Sequence, residues 1–557
     1  MTIIHTITEG GQIWAHRVRM LKQVIKIALS ISLLLWVAIF AYYMYQLPTV
    51  LYQAAYYNLE ANVLTSVAID KMIVDSKKWE MIAREKLANP TVLNTDKVLR
   101  YTRPYLEKLM GLAKQYIERT SWITLGFFIA VIAFFFVRGR FSKKKKHISG
   151  KKVSAAWWIN WQLIFKRQAS VLKIGSLQLV KGSETQHILV TGGTGSGKTN
   201  CFHHILPQIR KQRKRAIIVD TTGILVERYF REGKDILLNP CDTRSAPWHP
   251  WVECKDLFDY ESLAEGFIAQ THSEQDEYWR NAARSLLSST LIKLKHSQKT
   301  SELTHWLLYE PLTKLAEFVQ GTKAAAHIDL NSERTAASIR SVTSSFLNCL
   351  EFIKDTNTPF SIREWVEKDD EDSWLFLSCT PIQRAALNPF ISCWFSIASR
   401  SLMQLEPSFK RKLWFVIDEL PTLNKLKDLE TLLSESRKYG GCALLSLQSP
   451  AQLSSIYGNN SAKTIVGNCA TKIIFSEQNP EIAEQISKIF GVREIKEYQE
   501  GLSYGANEIR DGVNLSSQTK NLPLVSSTDI QFLEKNQAYV KLAGNIPVAK
   551  IKFKIVY

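Results

Sequence analysis

The sequence of 557 residues predicts an α/β domain that is interrupted by a helical insertion and preceded by a pair of transmembrane helices. Three observations support this prediction. A glycine-rich stretch at residues 192–199 lies between a short apolar strand and a helix, later apolar runs end in polar residues, and two uncharged runs precede residue 140. Runs that are apolar throughout are typical of parallel strands buried on both faces.

The two uncharged runs are residues 27–45 and 120–137. Each would span roughly 28 Å as a helix, close to the ~30 Å thickness of a bilayer's hydrocarbon core. Basic residues precede the first run, and a cluster that includes Lys143–Lys146 follows the second. We therefore predict a membrane domain over residues 1–140, a two-pass hairpin with both chain ends in the cytoplasm. The first run begins too late, and lacks the small-residue cleavage site, for a signal peptide.

The segments on either side of the second predicted transmembrane helix have less specific sequence patterns. The loop 46–119 is polar and helix-prone, which predicts a small helical domain outside the cytoplasm. Residues 141–170 are predicted to be a linker. Within it Trp157, Trp158 and Trp161 recur at helical spacing, which favours packing in a core or at a membrane interface, with stacking on a ligand as the alternative.

Charge and cysteine content narrow the function classes. The net charge is +19, but residues 120–152 alone hold +8, next to the predicted membrane edge. Bulk charge is therefore poor evidence for nucleic-acid binding. For the Lys143–Lys146 cluster, a topology anchor touching anionic lipid is favoured over a DNA contact.

The eight cysteines have no C-x-x-C spacing, which indicates reduced thiols rather than a zinc or disulfide framework.

The glycine-rich stretch matches the pattern G-x-x-x-x-G-K-[ST] between a strand at 187–191 and a helix from about residue 200. Its residues are Gly192, Gly193, Thr194, Gly195, Ser196, Gly197, Lys198 and Thr199. Such a loop points backbone N–H groups and a helix N-terminus at one concavity, which suits a polyphosphate. Lys198 would reach the β- and γ-phosphates and Thr199 would ligate Mg²⁺. The alternative is a glycine-rich turn without a ligand.

Two further strands end in carboxylates. The run 216–219 leads to Asp220, where parallel sheets place site residues, so we predict that Asp220 belongs to the nucleotide site. The run 413–417 leads to Asp418 and Glu419. We predict that Asp418 holds the magnesium shell through water and that Glu419 orients and deprotonates the attacking water.

The remaining α/β elements frame the predicted insertion. Residues 171–251 and 367–557 are predicted to form the nucleotide-binding domain, and 252–366 an all-helical domain. A strand at 374–378, a buried helix at 391–405, a helix at 429–438 and a strand at 442–447 follow. Gln448 ends the last of these strands and can sense the γ-phosphate. Arg437 is a candidate arginine finger from a neighbouring subunit, or else a cation favoured at a helix C-terminus.

Several stretches together resemble one family. Following the two transmembrane runs they are GGTGSGKT, IIVDTTG, LLNPCDTRSAPWHPW, ERTAASIRSV, LWFVIDELPTL, SRKYGGCALLSLQS and SYGANEIRDGV. The chain resembles the TraD/TrwB group of type IV coupling proteins, and its TraD branch in particular. The DELPTL, RKYGG and LQS segments are more specific than the phosphate loop, which many ATPases share.

The resemblance implies a RecA-like, hexameric ATPase at the bacterial inner membrane, at the base of a type IV secretion channel. It implies ATP and Mg²⁺ as cofactors. The partners that it implies are single-stranded DNA, a relaxase with its relaxosome proteins, channel components, membrane lipid and further copies of the chain. It assigns nucleotide and metal to Lys198 and Thr199, hydrolysis to Asp418 and Glu419, the finger to Arg437 and the sensor to Gln448. The helical insertion would recognise DNA and relaxosome proteins.

Other functions stay open at this point. F-type members of the family extend well beyond this fold in a polar tail that docks a relaxosome partner, whereas this sequence stops at Tyr557. Docking by that route is therefore in doubt. The alternatives to a conjugative DNA motor are a receptor for protein effectors with ATP-gated transfer, an FtsK-like DNA translocase, and a scaffold that does not hydrolyse ATP.

Overall fold

The computed structural model describes residues 2–88, 91–142, 146–271, 274–368, 372–503 and 512–556. The chain divides into two compact units, Met1–Lys145 with Tyr498–Ser516, and Lys146–Glu497 with Ser517–Tyr557. Lys143–Lys145 of the predicted basic cluster, and most of the SYGANEIRDGV stretch, lie outside the described residues.

The first unit contains two long helices joined by a smaller folded segment. Its elements are α1 (Thr2–Tyr45), α2 (Thr49–Ser66), β1 (Lys71–Val74), α3 (Ser76–Ala83), β2 (Thr91–Asn94) and α4 (Thr95–Ser142). Val18–Tyr45 and Thr95–Arg138 are long and apolar enough to cross a membrane, and only 11% of the most apolar window of each is buried within the protein. These spans include both predicted transmembrane runs.

The segment between the two long helices is not purely helical, so that part of the prediction is wrong. Strands β1 and β2 pair antiparallel. The side chains of β1 alternate between exposed and buried, and Met72 and Val74 join a small core around the fully buried Trp79. Four-residue strands were missed because so short an alternation carries little signal against a helix-prone background.

The second unit holds the α/β fold. Its strands are β3 (Lys146–Ser149), β4 (Val153–Ser154), β5 (Ala169–Ile174), β6 (Leu177–Val180), β7 (Ile188–Thr191), β8 (Arg215–Asp220), β9 (Ile236–Leu238), β10 (Trp374–Ser378), β11 (Leu413–Ile417), β12 (Gly441–Leu447), β13 (Thr471–Ile474), β14 (Val492–Ser503), β15 (Gly512–Pro523), β16 (Gln537–Lys541) and β17 (Val548–Lys552). Strands β14 and β15 extend across the boundary between the units.

The helices of this unit lie between those strands. They are α5 (Ala156–Phe165), α6 (Lys198–Lys211), α7 (Ile224–Tyr229), α8 (Leu257–Phe267), α9 (Glu274–Lys293), α10 (Thr300–Thr304), α11 (Leu312–Phe318), α12 (Glu333–Leu347), α13 (Ile362–Glu367), α14 (Arg384–Gln404), α15 (Leu429–Glu435), α16 (Pro450–Tyr457), α17 (Asn459–Asn468), α18 (Pro480–Phe490) and α19 (Ser527–Gln531).

One large sheet dominates the unit, with the strand order β4-β17-β16-β13-β7-β12-β11-β8-β10-β9. The strands from β13 to β9 pair in parallel, whereas β16 is antiparallel to both of its neighbours. Every residue of β7, β8, β10, β11 and β12 is buried, as expected for strands covered on both faces. The predicted α/β fold class is confirmed.

The segment between β9 and β10 folds as helices over its described residues, from α8 to α13. It belongs to the same compact unit as the sheet. An aromatic cluster joins the two parts, because Trp248 contacts Phe267, Phe390 and Trp394 at ring-centroid distances of 6.5, 6.1 and 5.6 Å. The helical insertion is therefore packed onto the sheet domain through a shared core, and its limits at 252 and 366 stay a prediction.

The structure differs from two local predictions, which concern Arg437 and the tryptophans of the predicted linker. Helix α15 ends at Glu435 and a 3₁₀ turn continues to Tyr439, so Arg437 lies on the turn rather than on the helix. The predicted linker contains α5, whose Trp157, Trp158 and Trp161 are 70%, 40% and 53% exposed. Burial of these tryptophans in a core, one of the two favoured interpretations, is therefore wrong.

Candidate functional site

A tight loop joins β7 to α6 and carries glycines where no other residue fits. The φ angles of Gly192, Gly195 and Gly197 are +152°, +73° and +123°. A Cβ atom at Gly192 would lie 2.6 Å from Cβ of Phe475, and one at Gly197 would lie 2.6 Å from Oδ1 of Asn536. Glycine is required by both the backbone conformation and the close neighbours.

The ammonium group of Lys198 lies over this loop. Its Nζ donates to the carbonyl oxygen of Gly192 at 2.7 Å and to that of Gly193 at 3.1 Å. Burial lowers the pKa of Lys198, while the charges of Glu419 and Asp418 act to raise it. The lysine is thus held close to the loop and within the electrostatic reach of the acids that follow β11.

The acid pair Asp418–Glu419 is largely shielded from water. Burial, together with the charges of Asp220 and Glu419, raises the pKa of Asp418 to about 7, and Lys198 opposes this shift. Burial also raises the pKa of Glu419, against the opposing effects of Lys198 and of hydrogen bonds from Gln448. Adjacent acids with raised pKa values can accept a cation or a proton, which are the two roles predicted for them.

Gln448 lies between the loop and the acids because β12 is the strand between β7 and β11. The hydroxyl of Thr191, the last residue of β7, donates to the carbonyl oxygen of Gln448 at 3.2 Å. The backbone and the side chain of Gln448 act to lower the pKa of Glu419. Gln448 therefore lies close to both of the neighbouring strand ends.

These strand ends open into one cavity of about 610 Å³. The predicted site residues on its wall are Thr194, Gly195, Gly197, Lys198, Thr199, Asp418, Glu419 and Gln448. Gly192, Gly193 and Ser196 belong to the loop behind this wall, where the backbone N–H of Gly193 donates to the carbonyl of Ser476 at 2.8 Å. Thr199 and Asp418 offer hydroxyl and carboxylate oxygens, the donors that Mg²⁺ prefers.

Asp220 has a different role from the predicted one. It is fully buried, and its two carboxylate oxygens accept hydrogen bonds from the backbone N–H groups of Thr222, Gly223, Leu225 and Val226 at 2.8–3.0 Å. These bonds fix the turn after β8 and cap α7. This geometry argues against a direct contact with nucleotide, because both oxygens are already engaged. Asp220 acts on the site through its charge on Asp418.

Arg384 lies on the cavity wall and was not predicted from the sequence. It begins α14, and its Nη2 donates to the carbonyl oxygen of Thr221 at 2.9 Å. Its charge acts to lower the pKa of Glu419. No motif marks this arginine, since it follows a strand by several residues and reaches the site only because β10 lies beside β8.

Arg437 is exposed and is not part of the wall of this cavity. The turn that carries it ends at Gly440, whose φ is +85° and where a Cβ would lie 2.2 Å from the carbonyl oxygen of Arg411. The structure therefore does not bring Arg437 together with the other predicted catalytic residues of the same chain. An exposed arginine on a fixed turn is compatible with insertion into the site of another subunit.

Sequence comparisons identify relatives of the second unit. Residues 171–554 match a family model described as the type IV secretion-system coupling protein DNA-binding domain. The chain is 33% identical over 393 residues to the coupling protein TraD of Escherichia coli K12, covering 69% of this chain and 55% of TraD. It is 24% identical over 148 residues to the coupling protein VirD4 of Bartonella henselae, covering 27% of this chain and 23% of VirD4. The chain thus spans about half the length of TraD.

Solved structures of one protein also match. The conjugative coupling protein TrwB, in a form named TrwBdeltaN70, is 27% identical with a TM-score of 0.68, over 74% of this chain and 94% of that one. A structure of TrwB in complex with ADP and Mg²⁺ is 26% identical with a TM-score of 0.66, over 74% of this chain and 95% of that one.

Proposed function

The chain belongs to the type IV secretion-system coupling protein family, and on this premise we propose that it is an ATPase that couples DNA transfer in conjugation to a secretion channel. The observation that carries the proposal is the single cavity that unites the phosphate loop, Asp418, Glu419 and Gln448. A phosphate cradle alone would bind nucleotide, whereas a cradle facing an acid pair and a sensor residue is suited to hydrolysis.

The site residues have separate roles in this proposal. The backbone of the loop and Lys198 would bind the phosphates of ATP. Thr199 and Asp418 would hold Mg²⁺, which neutralises phosphate charge when it is bound. Glu419 orients the attacking water and accepts its proton, a role that suits a carboxyl whose pKa is raised by burial. Relatives of this chain support the choice of cofactors, since TrwB has been solved with ADP and Mg²⁺.

Arginines complete the site from two directions. Arg384, on the cavity wall, would stabilise the γ-phosphate within its own chain. Arg437, exposed on its turn, would enter the site of the next subunit in a ring of six copies. Gln448, which lies close enough to Glu419 to lower its pKa, would report the loss of the γ-phosphate.

The two long apolar helices of the first unit support attachment of the chain to a membrane. The uncharged runs 27–45 and 120–137, which lie within the long helical spans Val18–Tyr45 and Thr95–Arg138, would form a two-pass hairpin in the bacterial inner membrane. Basic residues flank the hairpin on the side of both chain ends, which supports cytoplasmic termini and a periplasmic location for residues 46–119. We propose 1–140 as the membrane domain, 171–251 with 367–557 as the ATPase domain, and 252–366 as the helical domain that meets DNA, relaxase and relaxosome proteins.

The test is the ATPase rate of the full chain in nanodiscs, with and without single-stranded DNA, over a range of protein concentrations. Glu419→Gln is the blank, because it keeps the shape of the site but removes the base. We expect turnover that rises with DNA and with concentration, and a loss of at least ~100-fold in the variant.

Other outcomes would favour the alternatives. An ATPase rate that does not change with DNA would favour a receptor for protein effectors. The modest net charge of the chain beyond residue 152 is compatible with such a receptor. Equal turnover of Glu419→Gln and the unchanged chain would contradict the assignment of the base. Absence of turnover in both, with nucleotide still bound, would indicate a scaffold that does not hydrolyse ATP.

A further inference from the structure

Helix α5 has two apolar faces, and only one of them is covered by the rest of its unit. Ile159 and Leu163 are 0% and 2% exposed and pack into the core beneath the sheet edge. The opposite side carries five large apolar residues that are all exposed. This α5 aromatic face consists of Trp157, Trp158, Trp161, Ile164 and Phe165.

The rings of the α5 aromatic face stack on one another. Trp158 and Trp161 have centroids 5.2 Å apart at an interplanar angle of 17°, and Trp161 and Phe165 are 5.5 Å apart at 14°. Trp157 lies edge-on to Trp158 at 5.7 Å. Stacking within the helix therefore uses part of the ring surface, while the five side chains stay 40–77% exposed.

The position of α5 on its unit is fixed by hydrogen bonds as well as by packing. The side-chain amide of Asn160 donates to the carbonyl oxygen of Ser176 at 2.8 Å, and its oxygen accepts from the backbone N–H of Gln178 at 2.9 Å. Both partners belong to the β5–β6 hairpin. Whatever binds the aromatic face is thereby connected rigidly to the ATPase fold.

The charged residues that flank α5 in the sequence all have one sign. Between Glu118 and Glu184 the sequence contains thirteen Lys or Arg residues and no Asp or Glu. Lys152, Lys166 and Arg167, which flank the helix, are exposed. A tryptophan-rich face with a basic border matches the interfacial region of an anionic bilayer, where indoles reside at headgroup depth and lysines contact phosphate.

We propose that the α5 aromatic face inserts into the interfacial region of the anionic leaflet, as a lipid contact additional to the transmembrane hairpin. The contact would hold the β17 edge of the sheet against the bilayer surface, because α5 packs on β6 and β17. Single-stranded nucleic acid is the weaker candidate for this surface. Bases stack on open ring faces, and the facing sides of Trp158 and Trp161 are already stacked on each other.

The test uses the full chain in nanodiscs and requires neither ATP nor DNA. A spin label at Trp161→Cys, in a Cys241→Ser background that removes the exposed native thiol, reports collisions with dissolved oxygen and with an aqueous nickel chelate. The matched control is Phe409→Cys, since Phe409 is 86% exposed on the same unit. In discs with anionic lipid we expect nickel collisions at position 161 at least about threefold fewer than at 409.

A third label separates this proposal from the membrane assignment of the hairpin. Leu34 is 72% exposed on α1, so Leu34→Cys should be protected from nickel if the hairpin is inserted. Protection at 34 with none at 161 would overturn the α5 proposal and leave the hairpin intact. Absence of protection at 34 would contradict the hairpin itself, and with it the lipid contact of α5.

Each alternative partner of the α5 aromatic face predicts a different pattern of protection from nickel. Protection at 161 that needs added single-stranded DNA would identify a nucleic-acid platform, and protection that appears in detergent as protein concentration rises would identify a second copy of the chain. Either result would overturn the proposal. A second label at Phe165→Cys, which is 77% exposed, guards against a local effect of losing Trp161, and both labelled chains should still bind nucleotide.

Discussion

Two arginines, Arg384 and Arg437, differ in the side from which they can reach the γ-phosphate. Arg384 contributes to the cavity wall and bonds the carbonyl of Thr221 in its own chain. Arg437 is exposed on a turn that a glycine fixes. We therefore expect Arg384 to act in cis and Arg437 in trans, although both substitutions should reduce turnover by about 10³-fold.

Mixing variants distinguishes the two arginines. Lys198→Ala disables the site of a subunit but leaves its Arg437 in place. Mixed oligomers of Lys198→Ala and Arg437→Ala should regain activity, up to roughly a quarter of the unmodified rate for random equal mixing, because some sites have an intact loop and an intact neighbouring arginine. The measurement is ATPase rate against mixing ratio.

The control for this experiment is the mixture of Lys198→Ala with Arg384→Gln. Both changes affect the same site, so no arrangement of subunits restores a complete one, and the mixture should stay inactive. Recovery in this control would show that Arg384 also acts across an interface. Failure of the Arg437→Ala mixture, with proven mixed oligomers, would contradict a finger in trans.

At the scale of elements, His187 connects three parts of the sheet domain. Its Nδ1 accepts from the backbone N–H of Ala443 at 3.1 Å, and its Nε2–H donates to the carbonyl oxygen of Leu433 at 3.0 Å. These bonds join the start of β7 to β12 and α15, and they require a neutral ring. Burial, with a smaller effect of Arg437, lowers the pKa of His187 to about 4 from a usual 6.5, although the bond to Leu433 opposes the shift.

This histidine predicts a dependence of stability on pH. Because its pKa is lower in the folded chain, its stabilising effect is complete above pH 6.5 and is lost as pH falls toward 4. At pH 5 the loss is about 2 kcal/mol. His187→Asn, which keeps an acceptor for Ala443, should be less stable at pH 7.5 but lose less stability on going to pH 5. Denaturant unfolding of both chains at the two pH values measures the difference, and equal losses would contradict the assignment.

At the scale of the whole molecule, the hairpin would separate the chain between two compartments. Residues 46–119 contain no cysteine, whereas Cys241 in the second unit is exposed. Native and introduced thiols can therefore report on the two sides of the membrane within one chain.

We expect a membrane-impermeant maleimide to label Glu60→Cys, which is a partly exposed position on α2, in intact cells. Cys241 should be labelled only after the inner membrane is permeabilised, because it would lie in the cytoplasm. The readout is labelling of the purified chain with and without Cys241→Ser. Labelling of Cys241 in intact cells, or protection of position 60, would contradict the two-pass topology.

Features that depend on neighbouring residues in the chain were predictable. The phosphate loop, the strand leading to Asp418 and Glu419, and the two uncharged runs are each encoded in one continuous stretch, which is recognised by its glycine spacing, its apolar length or its lack of charge. The fold class followed because buried parallel strands are apolar throughout. The short β1–β2 pair was missed because its local pattern is weak.

Only the tertiary structure decided which of these residues and strand ends lie close together in space. The strand order sets β12 between β7 and β11, and this brings Gln448 against Glu419. Pairing of β10 with β8 brings Arg384 into the cavity, while four backbone N–H groups and the hydroxyl of Thr222 hold the carboxylate of Asp220 in the turn after β8. The helical spacing of the tryptophans in α5 was compatible both with burial in a core and with exposure. Sequence determines local conformation, whereas strand order and burial depend on contacts between distant segments, which no single stretch of the chain encodes.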